Sequence, residues 1–289
     1  MKNMPYFGTK AIQMLQKAMQ YGSLKVITPE GQEHFFEGRN QGPHGELILH
    51  DWRMVSATLE EGDIGLGNAY MSGWWDSPDL ESLLSVFMLN IKDLGQLAWG
   101  SPLHRIKSVL LQWVFRRNTI KGSQRNIMAH YDVGNDFYEH WLDPTMTYSS
   151  AIFDKPDADL ETAQKAKYAR ILERLGEKRR DILEIGCGWG GFMASALEQG
   201  RKVTALTISP KQHAYARQRV GTSADVHLKD YRKADGTYSA IVSIEMFEAV
   251  GERYWSTYFN TIRDRLTSTG VAMIQMISID DKLFSKYRT

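Results

Sequence analysis

The chain is poor in cysteine and carries almost no net charge. Its single cysteine, Cys187, excludes a disulfide within the chain and a cysteine-rich zinc site, and it fits a reducing cytoplasm. A formal net charge of +1 over 289 residues argues against a dedicated nucleic-acid binder, because contact with many phosphates needs a strong basic excess. Any contact with a membrane or another anion must therefore be local.

Long apolar runs are also missing. The N-terminus has no apolar stretch of the kind found in secretion signals, and no run of about eighteen apolar residues occurs, so secretion and a membrane span are not expected. No spacing of His, Cys and Asp suggests a metal site, and no Ser, His and Asp arrangement has motif support. The hydrophobic fraction of 43% is nevertheless ample for the core of one large or two modest domains.

The most informative segment is a short apolar run that ends in a glycine turn, residues 181–191 (DILEIGCGWGG). Four glycines fall within six positions, so a ligand can lie against the bare backbone after a buried strand, beside a helix N-terminus. The spacing differs from the dinucleotide fingerprint G-x-G-x-x-G. It resembles the signature of class I S-adenosylmethionine (AdoMet) methyltransferases.

Strands and helices alternate through the C-terminal part of the chain. Strands are predicted at 181–185, 202–207, 225–228, 240–244 and 271–277. Helices are predicted at 160–175, 191–199, 211–220 and 254–266. This alternation implies an α/β fold with a parallel, Rossmann-like sheet, and we expect its C-terminal edge to be truncated because few residues follow the last strand. Ligands bind at the carboxyl ends of such strands, which places the rim of the site at 184–190, 207–212, 230–231 and 245–248.

The N-terminal part has a different pattern. Residues 1–95 are predicted to form a small α+β lipid-binding or accessory domain, with a helix near 9–20, a β-hairpin around 29–31, a glycine-rich loop at 62–76 and a helix at 80–91. Residues 96–124 are predicted to be a basic amphipathic helical linker to the domain at 125–289. Such a helix can lie on an anionic bilayer, whereas packing of its apolar face on the core is the alternative.

Four ordered motifs resemble the cyclopropane fatty acid synthase family. They are 130–138 (HYDVGNDFY), 142–153 (LDPTMTYSSAIF), 184–190 (EIGCGWG) and 206–212 (LTISPKQ). Members of that family transfer the methyl group of AdoMet to the double bond of an acyl chain, usually in an intact phospholipid. The resemblance therefore implies AdoMet as cofactor, S-adenosylhomocysteine as its product, unsaturated phospholipid as substrate, and a cytoplasmic protein peripherally bound to the membrane.

The resemblance also implies roles for single residues. It puts Tyr148 and Ser149 near the methionine part of AdoMet and Gly186 and Gly188 beneath it. Thr207 and Gln212 come near the ribose and adenine, and Tyr231 against the adenine. The predicted rim and the glycine turn add the cofactor-binding candidates Glu184, Trp189, Gly190, Ile208 and Asp230. Tyr131 belongs to a motif that the family places over the active site, so it is a catalytic candidate.

Several positions depart from the family pattern. Cyclopropane-forming members carry Cys and His where this chain has Ser150 and Gln275. In those members the Cys and the His help to hold a bicarbonate that removes a proton. A second histidine is replaced by Ala249, and Glu245 stands where glycine is typical. Bicarbonate is therefore doubtful as a cofactor. We predict that Glu245 or Glu248 stabilises a cation on the acyl chain and accepts the proton, with Ser150 and Gln275 as further catalytic candidates.

The pattern of 244–251 and 275–279 is similar to the subgroup that makes methyl-branched or methylene fatty acyl chains, the tuberculostearic and furan fatty acid precursor type. We expect such a product, with cyclopropanation as the alternative. A small-molecule N-methyltransferase and a truncated AdoMet- or lipid-binding subunit without activity are further alternatives. This interpretation is compatible with two protein partners, a reductase and a second copy of the chain.

Overall fold

The computed structural model describes residues 6–101 and 134–281. The chain divides into two compact units, Met1–Val114 and Phe115–Thr289. The division falls within the predicted linker, whose basic residues lie outside the described residues together with Tyr131. The domain limits and the lipid-binding role of the first unit stay predictions. Among the helices of the described residues, none has the length and apolar character that a membrane crossing needs.

The first unit is built on a four-stranded sheet with the spatial order β2-β1-β3-β4. Its strands are β1 (Tyr21–Ile27), β2 (Glu33–Glu37), β3 (Asn40–Leu49) and β4 (Trp75–Asp76). Its helices are α1 (Tyr6–Ala18), α2 (Arg53–Glu61), α3 (Asp63–Met71), α4 (Leu80–Leu89), α5 (Ile91–Leu94) and α6 (Gln96–Trp99). The predicted hairpin is confirmed, because β1 and β2 pair antiparallel.

The glycine-rich stretch 62–76 is mostly helical, so the predicted loop is wrong. Gly65 of α3 lies so close to α2 that a Cβ atom would be 2.1 Å from the carbonyl oxygen of Ala57. The glycine therefore permits close helix packing rather than a loop. Trp75 is buried in β4, and its indole N–H donates to the carbonyl of Leu66, 2.9 Å away. These tertiary contacts outweigh the low helix propensity of glycine.

The second unit has a five-stranded sheet with the order β7-β6-β5-β8-β9, in which all neighbours are parallel. Its strands are β5 (Asp181–Ile185), β6 (Lys202–Thr207), β7 (Asp225–Leu228), β8 (Tyr238–Ile244) and β9 (Leu266–Gln275). Its helices are α7 (Asn135–Glu139), α8 (Leu160–Leu175), α9 (Gly191–Glu198), α10 (Pro210–Val220) and α11 (Trp255–Arg265). The predicted parallel α/β fold is confirmed, and the last strand begins and ends earlier than expected.

Helices cover both faces of this sheet. Ile182 of β5 packs in the cluster that contains Leu172 of α8 and Met193 of α9. Leu183, the next residue, packs with Tyr258 of α11 on the other face. Successive strand residues point to opposite faces, which accounts for this alternation. The chain order reverses between β5 and β8, and a crevice is expected at the carboxyl ends of such neighbouring strands.

Candidate active site

The glycine turn after β5 borders open space. Gly188 has a φ of +51°, and a Cβ atom at this position would have no neighbour within 4 Å. Gly191 has a different role, because a Cβ there would lie 2.7 Å from the hydroxyl oxygen of Tyr168. Glycine therefore lets α9 begin against α8 at Gly191, while at Gly188 it leaves backbone accessible to a ligand.

A cavity of about 950 Å³ lies at the carboxyl ends of β5, β6 and β8. The predicted site residues that line it are Tyr148, Ser149, Ser150, Glu184, Gly186, Gly188, Trp189, Thr207, Ile208, Gln212, Asp230, Tyr231, Glu245 and Glu248. The fold thus brings the four predicted rim segments together, and their individual roles stay predictions. Gly190 is the left-handed N-cap of α9 and is not among the lining residues.

Glu184 is a buried carboxylate at the end of β5. Its side chain is 3% exposed, and its Oε2 atom has no hydrogen-bond partner among the described residues. Burial raises the pKa of Glu184 to about 8, since charge is costly in an apolar surrounding. The site therefore offers a carboxyl group that is mostly protonated at neutral pH in the free protein and that a bound cation would convert to its carboxylate form.

The ends of β6 and β7 contribute a polar corner. The Thr207 hydroxyl donates to Gln212 Oε1 at 3.0 Å, and both side chains are buried. Asp230 is held by Arg232, whose Nε and Nη2 atoms donate to its two oxygens at 2.8 and 2.6 Å. Tyr231, next to this pair, lies edge-on against Tyr258. Asp230 is thus fixed by its own ion pair, and the Tyr231 ring presents a half-buried aromatic surface to the cavity.

Aromatic rings form another wall. Trp189 is buried, and its indole N–H donates to Asn135 Oδ1 at 2.9 Å. Its ring lies 4.8 Å from the ring of Tyr138, which in turn lies 5.6 Å from that of Tyr148. Tyr148 and Trp141 are both nearly half exposed and line the cavity. This wall is suited to apolar groups that enter from the surface.

Glu245 is the centre of a hydrogen-bonded cluster after β8. Its Oε1 atom accepts bonds from the backbone N–H and hydroxyl of Ser150, both at 2.9 Å, and from Gln275 Nε2 at 2.8 Å. Gln275 Nε2 also lies 3.0 Å from the Ser150 hydroxyl oxygen, and the Glu245 N–H donates to the Gln275 carbonyl. Three catalytic candidates that lie far apart in the chain therefore meet, although Gln275 itself does not line the cavity.

Glu248 differs from Glu245 in its surroundings. It is exposed, and its Oε1 atom accepts a bond from the backbone N–H of Ile277. It lines the cavity but lies outside the hydrogen bonds of the Glu245 cluster. Within residues 6–101 and 134–281, no group of three or more His, Cys, Asp or Glu side chains is arranged to hold a metal ion.

Two polar residues of α8 were missed by the sequence analysis. Gln164 and Lys167 are only 1% and 2% exposed. Gln164 Nε2 donates to the Ser149 carbonyl at 2.7 Å, and Lys167 Nζ donates to the Ser150 carbonyl at 3.0 Å. Helical spacing in the sequence could have indicated that both are buried, because they fall on the helix face that also holds Tyr168 and Ile171.

The family model described as mycolic acid cyclopropane synthetase matches residues 118–288, which is more than half of the chain. The chain belongs to that family. The family that the sequence motifs predicted is thereby confirmed, and the match covers every described residue of the cavity.

Two curated relatives in the family are about equally similar to the chain. Tuberculostearic acid methyltransferase UfaA1 of Mycobacterium tuberculosis is 35% identical over 233 residues, which are 75% of this chain and 54% of that protein. Cyclopropane-fatty-acyl-phospholipid synthase of Escherichia coli is 35% identical over 233 residues, 76% of this chain and 57% of that protein. The chain thus spans about half the length of the curated relatives it matches.

Solved structures of family members support the fold. The mycolic acid cyclopropane synthase CmaA1 complexed with SAH and CTAB is 35% identical, with a TM-score of 0.50 over 52% of this chain and 55% of that chain. The cyclopropane synthase MmaA2 from Mycobacterium tuberculosis is 31% identical, with a TM-score of 0.53 over 57% of this chain and 60% of that chain. The class I methyltransferase fold of the second unit is therefore established.

Proposed function

We propose that this protein is an AdoMet-dependent C-methyltransferase that modifies the double bond of an unsaturated fatty acyl chain in a phospholipid and yields a methyl- or methylene-branched chain. Family membership and the cavity at the carboxyl ends of the parallel strands support the reaction class. The similarity to UfaA1, a tuberculostearic acid methyltransferase, supports the branched product.

The residues of the cavity fit AdoMet. The carboxylate oxygen of Glu184 that lacks a partner matches the ammonium of an amino acid. The open space beside Gly188 accommodates a ligand against the backbone. Gln212 and Tyr231 offer an amide and an aromatic surface on the side of β6 and β7. CmaA1 has been solved with SAH, which is the demethylated form of this cofactor.

AdoMet supplies an electrophilic methyl group when it is bound. The electron pair of the acyl double bond would form the new C–C bond as the methyl–sulfur bond breaks, with S-adenosylhomocysteine as the leaving group, and the other carbon of that double bond would become a cation. A carboxylate held in place beside that carbon stabilises the cation and accepts the proton that must leave. Loss of a proton from the new methyl group closes a cyclopropane while the cation stays on that carbon. If a hydride first shifts so that the cation moves to the carbon bearing the new methyl, loss of a methyl proton gives a methylene branch, and loss of a chain proton from either cation leaves a methyl branch on a restored double bond.

The observation that carries the proposal is the cluster of Glu245, Ser150 and Gln275. These are three of the positions at which the chain departs from the cyclopropane-forming pattern, and they are joined by hydrogen bonds of 2.8 to 3.0 Å. The cluster supplies a carboxylate from the chain itself where the resembled enzymes use bicarbonate. It therefore favours a built-in base over a borrowed one.

Cyclopropanation is the second candidate. The chain is as similar to the Escherichia coli cyclopropane-fatty-acyl-phospholipid synthase as it is to UfaA1. A contact with an anionic membrane surface on the cytoplasmic side belongs to both candidates, because the substrate is a bilayer lipid. The basic residues predicted to make that contact lie outside the described residues.

The test is mass spectrometry of fatty acids from cells that express the chain and are grown with methyl-labelled methionine. We expect acyl chains that are heavier by one labelled carbon and that fragment as methyl or methylene branches. Fragmentation as a ring would select cyclopropanation. Absence of labelled lipid, with folded protein that binds AdoMet, would overturn the proposal and favour a small-molecule N-methyltransferase or a binding subunit.

A further inference from the structure

Lys167 is a buried cation that the proposed reaction does not yet use. It lies on α8, and its ammonium donates to the Ser149 hydroxyl and, at 3.0 Å, to the Ser150 carbonyl. Its Nζ atom also lies 5.0 Å from the centre of the Tyr168 ring. An ammonium this deeply buried is costly unless a nearby negative charge offsets it.

The segment that Lys167 holds is the one that holds Glu245. Ser150 presents its carbonyl to Lys167, and it presents its N–H and hydroxyl to Glu245 Oε1, both at 2.9 Å. Lys167 and Glu245 therefore bind different groups of one residue. No direct ion pair joins Lys167 and Glu245 among the described residues, so Ser150 links the two charges.

We propose that Lys167 is a positioning residue of the site, whose ammonium fixes the Ser149–Ser150 segment and thereby orients the two Ser150 donors on the Glu245 carboxylate. The kinetic part of this inference rests on the proposed function. Its electrostatic part does not, because the contacts belong to the chain alone. Lys167 does not line the cavity, and it acts through Ser150.

Electrostatics agrees with this link. Burial lowers the pKa of Lys167 to about 8, while the charges of Glu245, at the end of β8, and Asp143, in the segment after α7, act to raise it. Tyr168 is the titratable neighbour on its own helix. The folded-state pKa lies below the unfolded value of 10.5, so the ammonium is present at neutral pH and is lost as the pH rises through about 8.

The electrostatic part is tested by NMR titration of protein labelled at the lysine Cε atoms. Lys167→Gln identifies the signal, and Lys165→Gln is the matched control, since Lys165 is an exposed lysine of the same helix paired with Glu161. We expect a Lys167 midpoint near pH 8 that falls by about half a unit or more in Glu245→Gln, because one charge that raises the pKa is gone. An unchanged midpoint in Glu245→Gln would overturn the link, and Lys167→Arg, which keeps a cation at this position, identifies the signal if Lys167→Gln does not fold.

The kinetic part is tested with the pH profile of methyl transfer to phospholipid vesicles. We expect the wild-type rate to fall above about pH 8, because Lys167 loses its proton there. Lys167→Gln should lower kcat about ten-fold, leave KM for AdoMet within about two-fold, and abolish that fall. Gln164→Leu removes a neutral donor to the same segment, so it should lower kcat and keep that fall. A Lys167→Gln variant with the wild-type kcat and pH profile would contradict the proposal. Wild-type protein without any methyl transfer would instead defeat the proposed function, and the titration would still decide the link.

Discussion

Two carboxylates at the ends of neighbouring strands differ in how the protein satisfies them. Glu184, at the end of β5, is almost fully buried and leaves one oxygen without a partner. Glu245, after β8, is only partly buried, and a single oxygen accepts three hydrogen bonds. β5 and β8 are paired in the sheet, so the two residues border the same cavity. One carboxylate is ready for a ligand and the other is held by the chain.

The two glutamates also differ in backbone conformation, since Glu245 has a positive φ and Glu184 does not. Glu245 has a φ of +46°, a conformation that non-glycine residues seldom adopt and that costs about 1 kcal/mol or more. The resembled cyclopropane formers carry glycine at this position, which adopts such a φ without strain. In this chain the bonds to Ser150 and Gln275 hold the strained residue in place. A fixed carboxylate suits a base, whereas an unsatisfied one suits cofactor binding.

The largest effect is expected from filling the space beside Gly188, in the glycine turn that follows Glu184. Gly188→Val places a branched side chain into the cavity where a Cβ now has no neighbour within 4 Å. We expect AdoMet affinity, measured by calorimetry, to fall by about 100-fold or more. Gly200→Val is the matched control, because Gly200 also has a positive φ and open surroundings but does not line the cavity. Retained affinity in Gly188→Val would refute the cofactor position.

Removal of the charge at Glu245 is expected to have the next largest effect. Glu245→Gln should reduce kcat by about 100-fold while AdoMet affinity stays nearly intact, since the amide cannot accept a proton. Glu248→Gln is the comparison variant, and it should leave most of the rate because Glu248 is exposed and outside the cluster. The reverse ranking of the two variants would transfer the role of base to Glu248.

Glu184→Gln should weaken AdoMet binding by about ten-fold through loss of one charge-assisted hydrogen bond. It should also change the pH dependence of unfolding. The folded-state pKa of about 8 lies above the unfolded value of 4.5, so wild-type stability falls as the pH rises from about 4.5 through 8. Denaturant unfolding across that range should show a flatter profile for the variant. An identical profile would mean that Glu184 is satisfied in solution.

The smallest effect is expected from Ser150→Ala. The variant loses the hydroxyl donor at 2.9 Å but keeps the backbone N–H and the Gln275 amide on Glu245. A single lost hydrogen bond corresponds to about 1 kcal/mol, so kcat should fall roughly five-fold. A loss as large as that of Glu245→Gln would show that Ser150 itself contacts the reacting groups.

The sequence was sufficient for the sheet and for the rim of the site. Short apolar runs such as 181–185 and glycine spacing such as 186–191 follow from local chemistry, and the rule for parallel sheets brings their carboxyl ends together. The sequence was insufficient where tertiary contacts determine the local structure or the role of a residue. Helix α3 depends on the close approach of Gly65 to α2, and the role of Lys167 depends on a segment 17 residues away that folds back on α8. The periodicity of the local sequence predicts neither contact.

The central claim is that Glu245 supplies the carboxylate of the reaction, and bicarbonate dependence tests it most directly. Methyl transfer to phospholipid vesicles is measured for the wild type and for Glu245→Gly, with bicarbonate removed and then added. We expect the wild-type rate to be independent of bicarbonate and the variant to be inactive without it, with partial recovery when it is added. A wild-type enzyme that requires bicarbonate, or a variant that keeps its rate without it, would contradict the claim.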